Sequence, residues 1–483
     1  MKRLKNIFLL LFLSLVTISC ESWLKVTPFD QLIKEDVYAT EKNTQSALNG
    51  LYLELSSYNL YAGNLTATAL EVLAKHYQIG GGHRFEQLNS YSYGSDTPKQ
   101  IFNAIWTSAY KTIAECNEFL TEIEKRKSQY PEANYNIYYG EVLAIRTLLH
   151  FDLLRLFGPV YSEGKDQPAI PYYRTSDHTT QPVSTAEEVM TFLLGDIDKA
   201  IDLLKKDAIL EVGVVRNHLS TDFLTDYRCF RMNFYAVNAL KARMALYKGD
   251  EKGLQDAYLI ASSLLNGENP LTNATCNFWE AFRFYGSVFE SMQENVHFTE
   301  MLFCIQNVRR ETFYRDYFST DQDINNILAG GENYLKTLYE SGDGRVSMWT
   351  PDAGRGLWVM ERYLARANAA YPYHAQLHSV IRLTELYLIA SEAAPSVTLK
   401  REWLEKMRIG RNFLTGNTTG FSDGQLDELI EKEYIRETYG EGQYFFFLKR
   451  KNINIIRDQA DQQVSGMRGR YQIPLPESET NYR

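Results

Sequence analysis

The chain has 483 residues, 45% of them hydrophobic and 13% aromatic, enough apolar content to bury a large core and too much for an intrinsically disordered protein. Its 60 acidic residues outnumber 51 basic ones, for a formal charge of −9; without clustered basic runs, that balance argues against a nucleic-acid partner. Cys116, Cys229, Cys276 and Cys304 are scattered without metal-ligand spacing or disulfide density, and read as small buried residues.

The opening MKRLKNIFLLLFLSLVTISCES places Lys2, Arg3 and Lys5 before an apolar run from Ile7 to Val16, interrupted by Ser14 alone. That run is about half the ~20 residues of a membrane-spanning helix and fits the ~7–15-residue core of an export signal. Ile18-Ser19-Cys20 resembles a bacterial lipobox, with Thr17 where that motif prefers Leu. On this reading residues 1–19 are a signal peptide and Cys20 is the acylated first residue of the mature chain. A plain secreted protein is the alternative. No later segment is apolar enough to span a bilayer.

Helices follow, in pairs. In 101–123, Ile101, Ile105, Ala109, Ile113 and Leu120 fall near one face, and GEVLAIRTLLHFDLLRLFGP from Gly140 is apolar around most of its circumference. Such a helix should be buried, with Arg146, His150, Asp152 and Arg155 as interruptions and Gly158-Pro159 as its end. Residues 231–250 and 251–267 make a second pair, with small residues for close packing, and 380–393 with 399–414 a third. Paired helices of about 34 residues are the signature of tetratricopeptide-like repeats, here in degenerate register. Between them, 76–98 and 268–379 lose helical periodicity and read as irregular loops rich in Tyr, Trp and Gly. No Pro/Gly/Ser linker divides the chain, which predicts one domain over 20–483: a helical-repeat half (20–267), then a ligand-facing segment with C-terminal helices (268–483).

Several stretches carry a likeness in order: CESWLKVTP, IWTSAYKTIAECN, GEVLAIRTLLHFDLLRLFGPV with Glu141, Arg146, Phe151, Leu154 and Phe157-Gly158 in register, ESGDGRV, VIRLTELYLIASEA, EKEYIRETYGEGQYFFFLKRKN and IPLPESE. Together they resemble the SusD/RagB family of outer-membrane nutrient-uptake lipoproteins; Lys25, Gln443 and Phe447 depart from its usual residues. The resemblance implies an all-α fold, a tetratricopeptide-like superhelix with long irregular insertions. It also implies a lipid-anchored surface protein, not an enzyme, that binds an oligosaccharide and delivers it to a SusC-like TonB-dependent outer-membrane transporter. A RagB-like peptide receptor, an anchored glycan hydrolase and a transporter cap that binds no ligand remain alternatives.

The family does not fix its binding residues in sequence, so the ligand candidates rest on chemistry. Tyr77, Arg84, Tyr91, Tyr93, Trp279, Arg283 and Tyr285 in the two irregular stretches combine rings for a sugar's apolar face with polar neighbours for its hydroxyls. Asp321, Asp323, Asn325 and Glu332 stand at positions 1, 3, 5 and 12 of an EF-hand spacing, with Asn326 where Gly is expected. A calcium loop is one reading and a solvated acidic turn the other; no other cofactor is expected. Glu431, Glu433, Glu437 and Glu441 lie along one helical run among basic residues, which favours ion pairing over glycosidase chemistry. His374 and His378 have helical spacing but lack a zinc-protease glutamate, and GGGHR (80–84) lacks the strand and Lys-Ser/Thr of a phosphate loop.

Overall fold

The computed structural model describes residues 36–177, 179–214, 222–284, 297–366, 372–413 and 418–480; Cys20 and Tyr285 lie outside them. Leu48–Arg483 cluster as one compact unit. Its principal helices are α1 (Glu41–Leu55, from Leu48 on), α2 (Asp96–Lys125), α3 (Glu132–Phe157), α4 (Ala186–Leu203), α5 (Phe234–Lys248), α6 (Glu251–Leu265), α7 (Arg310–Tyr317), α8 (Leu383–Glu392), α9 (Val397–Gly410), α10 (Asp423–Thr438) and α11 (Gln443–Arg450). No described helix is long and apolar enough to cross a membrane.

The expected pairs form: α2 packs on α3, α5 on α6 and α8 on α9. Every residue of α3 from Gly140 to Phe157 is buried. Its polar interruptions are all partnered: Arg146 with Asp196 at 2.6 Å, Asp152 with Arg155 Nε at 3.1 Å and with the Tyr61 hydroxyl at 2.6 Å, and His150 Nε2 with the Tyr173 amide at 3.2 Å. Lys449 Nζ donates to the Gly158 carbonyl at 2.7 Å, answering a carbonyl at the end of α3. Helix α4, absent from the pairs read in the sequence, packs against α3 as closely as α2 does. Its capping box was legible: Thr185 Oγ1 accepts from the Glu188 amide, and Glu188 accepts from the Thr185 amide at 2.8 Å.

The stretch 268–379, expected as loop, contains strands. β1 (Pro168–Pro171) and β2 (Val183–Thr185) precede it; within it or at its edge lie β3 (Met301–Gln306), β4 (Ala329–Gly331), β5 (Trp349–Asp352), β6 (Leu357–Met360) and β7 (Leu377–Arg382). β3 pairs antiparallel with β7, from Met301 opposite Arg382 to Gln306 opposite Leu377, and β4, β6 and β5 form a three-stranded sheet. The physical reason is burial: five of the six β3 residues are buried, so no apolar–polar alternation marks the strand. Its partner is also too distant in sequence for a hairpin signal. The expected helix at 380 likewise begins at Leu383, because Val380 and Ile381 are spent in β7.

The β3–β7 ladder carries Glu300 and Arg382 to α10, into a buried ion network. Glu437 accepts from Arg411 at 2.6 and 2.7 Å and from Arg345 at 2.7 Å. Glu433 accepts from Arg345, Arg408 and Arg436 at 2.6–2.8 Å. Glu300 joins Arg411 at 2.6 and 2.7 Å and Arg382 at 3.1 Å, while Glu441 takes Arg362 and Arg382, both at 2.7 Å. The ion-pairing expectation for Glu433, Glu437 and Glu441 is what the structure shows; Glu431 instead accepts from the Tyr444 hydroxyl at 2.7 Å. Burial alone would raise the Glu437 pKa, but Arg411, Arg345 and Arg382 hold it well below the carboxylate range. Gly442, the N-cap of α11, has φ +73°; a Cβ there would meet the Leu65 carbonyl oxygen at 2.6 Å.

Beside this network Glu392 pairs with Arg450 and Lys451 at 2.6–2.7 Å. Burial pushes its pKa up, yet the two cations bring it from 4.5 down to about 2. A carboxylate depressed on folding stabilises fully above its unfolded pKa, and that stability is lost as pH falls through the folded value. Acid titration of urea stability should therefore show a loss on the order of 3 kcal/mol between pH about 4.5 and 2 that is missing from Glu392→Gln. Parallel titrations of the two proteins would contradict this account.

Candidate functional site

The stretch DFLTDYRCFRMNF (222–234) packs rings and charges together just ahead of α5. Its two arginines are tied down from below. Fully buried Glu141, on α3, accepts from Arg231 Nε at 2.8 Å, from the Tyr52 hydroxyl at 2.7 Å and from Arg228 Nη1. Arg228 in turn grips Asp207 through two bonds, at 2.9 and 2.6 Å, and Asp207 accepts from the Phe234 amide at 3.0 Å. Burial would raise the Glu141 pKa, but Arg231 and Arg228 hold it below the usual range, so the carboxylate stays charged. Two carboxylates and two guanidiniums thus compensate one another's charge and fix the loop's path.

Above this floor opens a cleft of about 480 Å³ between α1, the 222–231 loop and the end of β3, within the range of small-ligand sites. Phe223, Tyr227 and Phe230 are partly exposed along it. Tyr227 lies parallel to Phe230, ring centroids 5.4 Å apart, and Arg231 covers Phe223 at 3.9 Å. Tyr227 holds a left-handed backbone, φ +48°, a conformation that costs on the order of 1–3 kcal/mol for a residue with a side chain. The surrounding contacts impose it, and it aims the ring. Polar groups complete the lining: Asn49, Ser56, Asp222, Asp226 and Gln306. Arg231 Nη2 is buried and unused by any protein acceptor. The cleft therefore offers flat apolar rings beside both donors and acceptors.

The sequence candidates fare differently. Tyr77 is 2% exposed, with its hydroxyl on the Ala67 carbonyl at 2.7 Å and its ring edge-on to Phe318 and Tyr439. Tyr91 is buried too, bonded to the Leu73 carbonyl at 2.9 Å. Both serve packing, a correction to their reading as ligand platforms. Tyr93 bonds the Arg470 carbonyl at 2.6 Å and borders a separate groove of about 430 Å³. Arg84 lies over the Tyr317 ring at 4.0 Å, with Tyr58 stacked on Tyr317 at 5.5 Å. It donates to the Asp316 and Asn326 carbonyls, each at 2.8 Å, and so pins its loop to α7. Trp279 is 39% exposed and bonded to the Leu265 carbonyl, Arg283 is exposed, and no described hydrogen bond or ring contact joins either to the 77–93 set.

Among the described residues no three His, Cys, Asp or Glu side chains converge as a metal cage requires. Asp323 instead accepts from the Asn325 amide at 2.8 Å, Asp321 faces Ser319 at 3.3 Å and Glu332 pairs with Lys336 at 2.6 Å. His374 and His378 sit in a 3₁₀ turn and in β7 rather than on one helix. His83, from GGGHR, is buried against the Ile327 carbonyl at 3.2 Å.

Fold and cleft together define a helical-repeat protein with an aromatic-lined cleft built on its loops. A sequence model of the SusD-like family, described as "Starch-binding associating with outer membrane", matches residues 22–216. SusD-like protein P2 of Formosa agariphila is 28% identical over 162 residues, 33% of this chain; the match spans about a third, 31%, of that relative's length. A SusD superfamily protein from Bacteroides thetaiotaomicron shares the fold with a TM-score of 0.69 at 22% identity, over 91% of this chain and 97% of that one. A SusD-like carbohydrate binding protein from Bacteroides vulgatus does so at 0.62 and 19%, over 86% and 84%. Over residues 22–216 the chain is thus similar to the SusD-like family, and over most of its length it shares the fold of SusD superfamily structures.

Because Glu141 alone joins Arg228, Arg231 and Tyr52, Glu141→Gln should cost about 3–5 kcal/mol, as breaking a buried pair does. It should also expose the 222–231 loop to limited proteolysis. Unchanged urea stability with unchanged cleavage would show that the quartet does not hold the loop.

Proposed function

We propose that this chain is a surface-exposed, lipid-anchored outer-membrane protein that captures an oligosaccharide in the Tyr227 cleft. It then passes the sugar, chemically unchanged, to a SusC-like TonB-dependent transporter. The observation that carries the reading is the parallel Tyr227–Phe230 pair beside the buried, unused Arg231 Nη2. A sugar ring lays its apolar face on such rings while its hydroxyls bond the donors and carboxylates around it. The description of the matching family and the name of the Bacteroides vulgatus neighbour agree with that chemistry. Delivery without turnover is supported at the C-terminal glutamates, where Glu433, Glu437 and Glu441 are each committed to arginines; the cleft's own carboxylates, Asp222 and Asp226, are the pair that product analysis tests.

Calorimetry with a panel of oligosaccharides and peptides, with product analysis of the same mixtures, tests this. One class of oligosaccharide should bind saturably without released products, and Tyr227→Ala should weaken it about 10- to 100-fold, as loss of an aromatic anchor does. Binding of peptides alone would replace the ligand class, released products would make the protein a hydrolase, and an undiminished Tyr227→Ala would move the site elsewhere.

The anchor has its own test. In the cell, Cys20→Ser should shift the protein from the membrane to the soluble fraction, since two or more acyl chains are needed for stable attachment. Retention of the serine variant in the membrane fraction would refute lipidation at Cys20.

A further inference from the structure

A second, much smaller cavity lies within the helical scaffold, away from the aromatic loop. About 30 Å³ is open between α3, α5, α8 and α11, room for one small guest. Its polar walls are Arg155, Arg243, Arg450, Tyr247, Tyr434, Glu385 and Gln443. Each arginine is already paired on one side. Arg155 holds Asp152 and donates Nη1 to Gln443 at 3.0 Å. Arg243 grips Glu385 at 2.5 and 2.6 Å, and Arg450 grips Glu392 at 2.6 and 2.7 Å. The lining itself contributes three guanidiniums and one carboxylate, with Asp152 and Glu392 directly behind it neutralising Arg155 and Arg450.

Donors remain. The Tyr247 hydroxyl is buried without a protein partner, on a residue 4% exposed. Among the described residues, no hydrogen bond uses Arg243 Nη1 or Arg450 Nε. A buried hydroxyl left unbonded forfeits its hydration without recompense, so an orphan in a well-packed interior points to a guest that accepts from it. Burial keeps the phenol protonated and able to donate, although Arg155 and Arg450 pull its pKa the other way. The guest must be a small acceptor, and it meets the donor edges of the lining guanidiniums beside the phenol.

We propose that this cavity is a halide site, holding one chloride between Tyr247 Oη and the free faces of Arg243 and Arg450. The ion would cross-link α5 and α11 and stabilise the scaffold. Water is the rival guest, and the experiment separates the two. Crystals of the unaltered chain equilibrated in bromide should give an anomalous peak within hydrogen-bonding reach of Tyr247 Oη. Thermal denaturation at fixed ionic strength should show saturable stabilisation by chloride or bromide over gluconate, as for any ligand of the folded state alone. Its half-saturation should move about tenfold higher in Tyr247→Phe, which removes one hydrogen bond to a charged group. No anomalous peak in the cavity would overturn the proposal, as would equal halide stabilisation in Tyr247→Phe. Should that variant fail to fold, the bromide peak in the unaltered chain decides.

Discussion

Glu437 is the residue on which the rest of the C-terminal half depends. It lies 1% exposed on α10, and its two oxygens gather Arg345, Arg411 and, at 3.5 Å, Arg382. Those arginines come from three segments separated by dozens of residues, and through Glu300, Glu433 and Glu441 the net extends to Arg362, Arg408 and Arg436. Helical repeats contact mainly their neighbours, so helix pairing alone would not attach the strand-bearing insertion to α9 and α10. The ionic network makes that attachment, and it is specific: each charge is costly to bury unless all its partners arrive together. Apolar residues would bury at least as favourably but would accept many alternative packings.

The same device recurs at the candidate site. Glu141, Arg228, Asp207 and Arg231 form a closed quartet under the 222–231 loop, and the loop's rings are therefore displayed on a rigid base. A ligand that meets preformed rings does not have to pay for ordering them. The left-handed Tyr227 shows the consequence: backbone strain tolerated because the quartet below and Phe230 beside it leave the chain no easier path. Scaffold and recognition are thus divided between the helical pairs, which supply a broad fixed surface, and short loops, which supply chemistry.

The Arg155–Asp152 and Arg243–Glu385 pairs extend this pattern into the middle of the scaffold. Buried charge joins helices from distant parts of the chain, as Arg243 on α5 does with Glu385 on α8, and neighbouring ones too, as Arg146 on α3 does with Asp196 on α4 and Arg408 on α9 with Glu433 on α10. α5 and α6, joined by Gly249 at φ +71° and capped by Asp250 on the Gly253 amide at 2.7 Å, need little more than Ala and Leu between them.

By itself the sequence determined the helical pairs, the burial of α3 and the ionic fate of the C-terminal glutamates. These are local patterns: apolar spacing along one helix, Gly-Asp between two, acids alternating with bases. The site was less legible. Arg84 was chosen as a polar neighbour for a ligand and in the fold anchors a loop; Tyr77 and Tyr91 were chosen for their rings, and solvent exposure, which decides whether a ring is a platform or a core residue, is a tertiary property. The 223–230 rings carried a signal in their density ahead of α5, yet nothing local ties them to Glu141, 80 or more residues earlier. β3 and β7 were hidden for the same reason, since burial erases alternation and their pairing spans some 70 residues. Local periodicity reports how a segment meets its own neighbours, whereas long-range pairing decides which faces are closed and which remain open to a ligand. Only the folded chain could decide that.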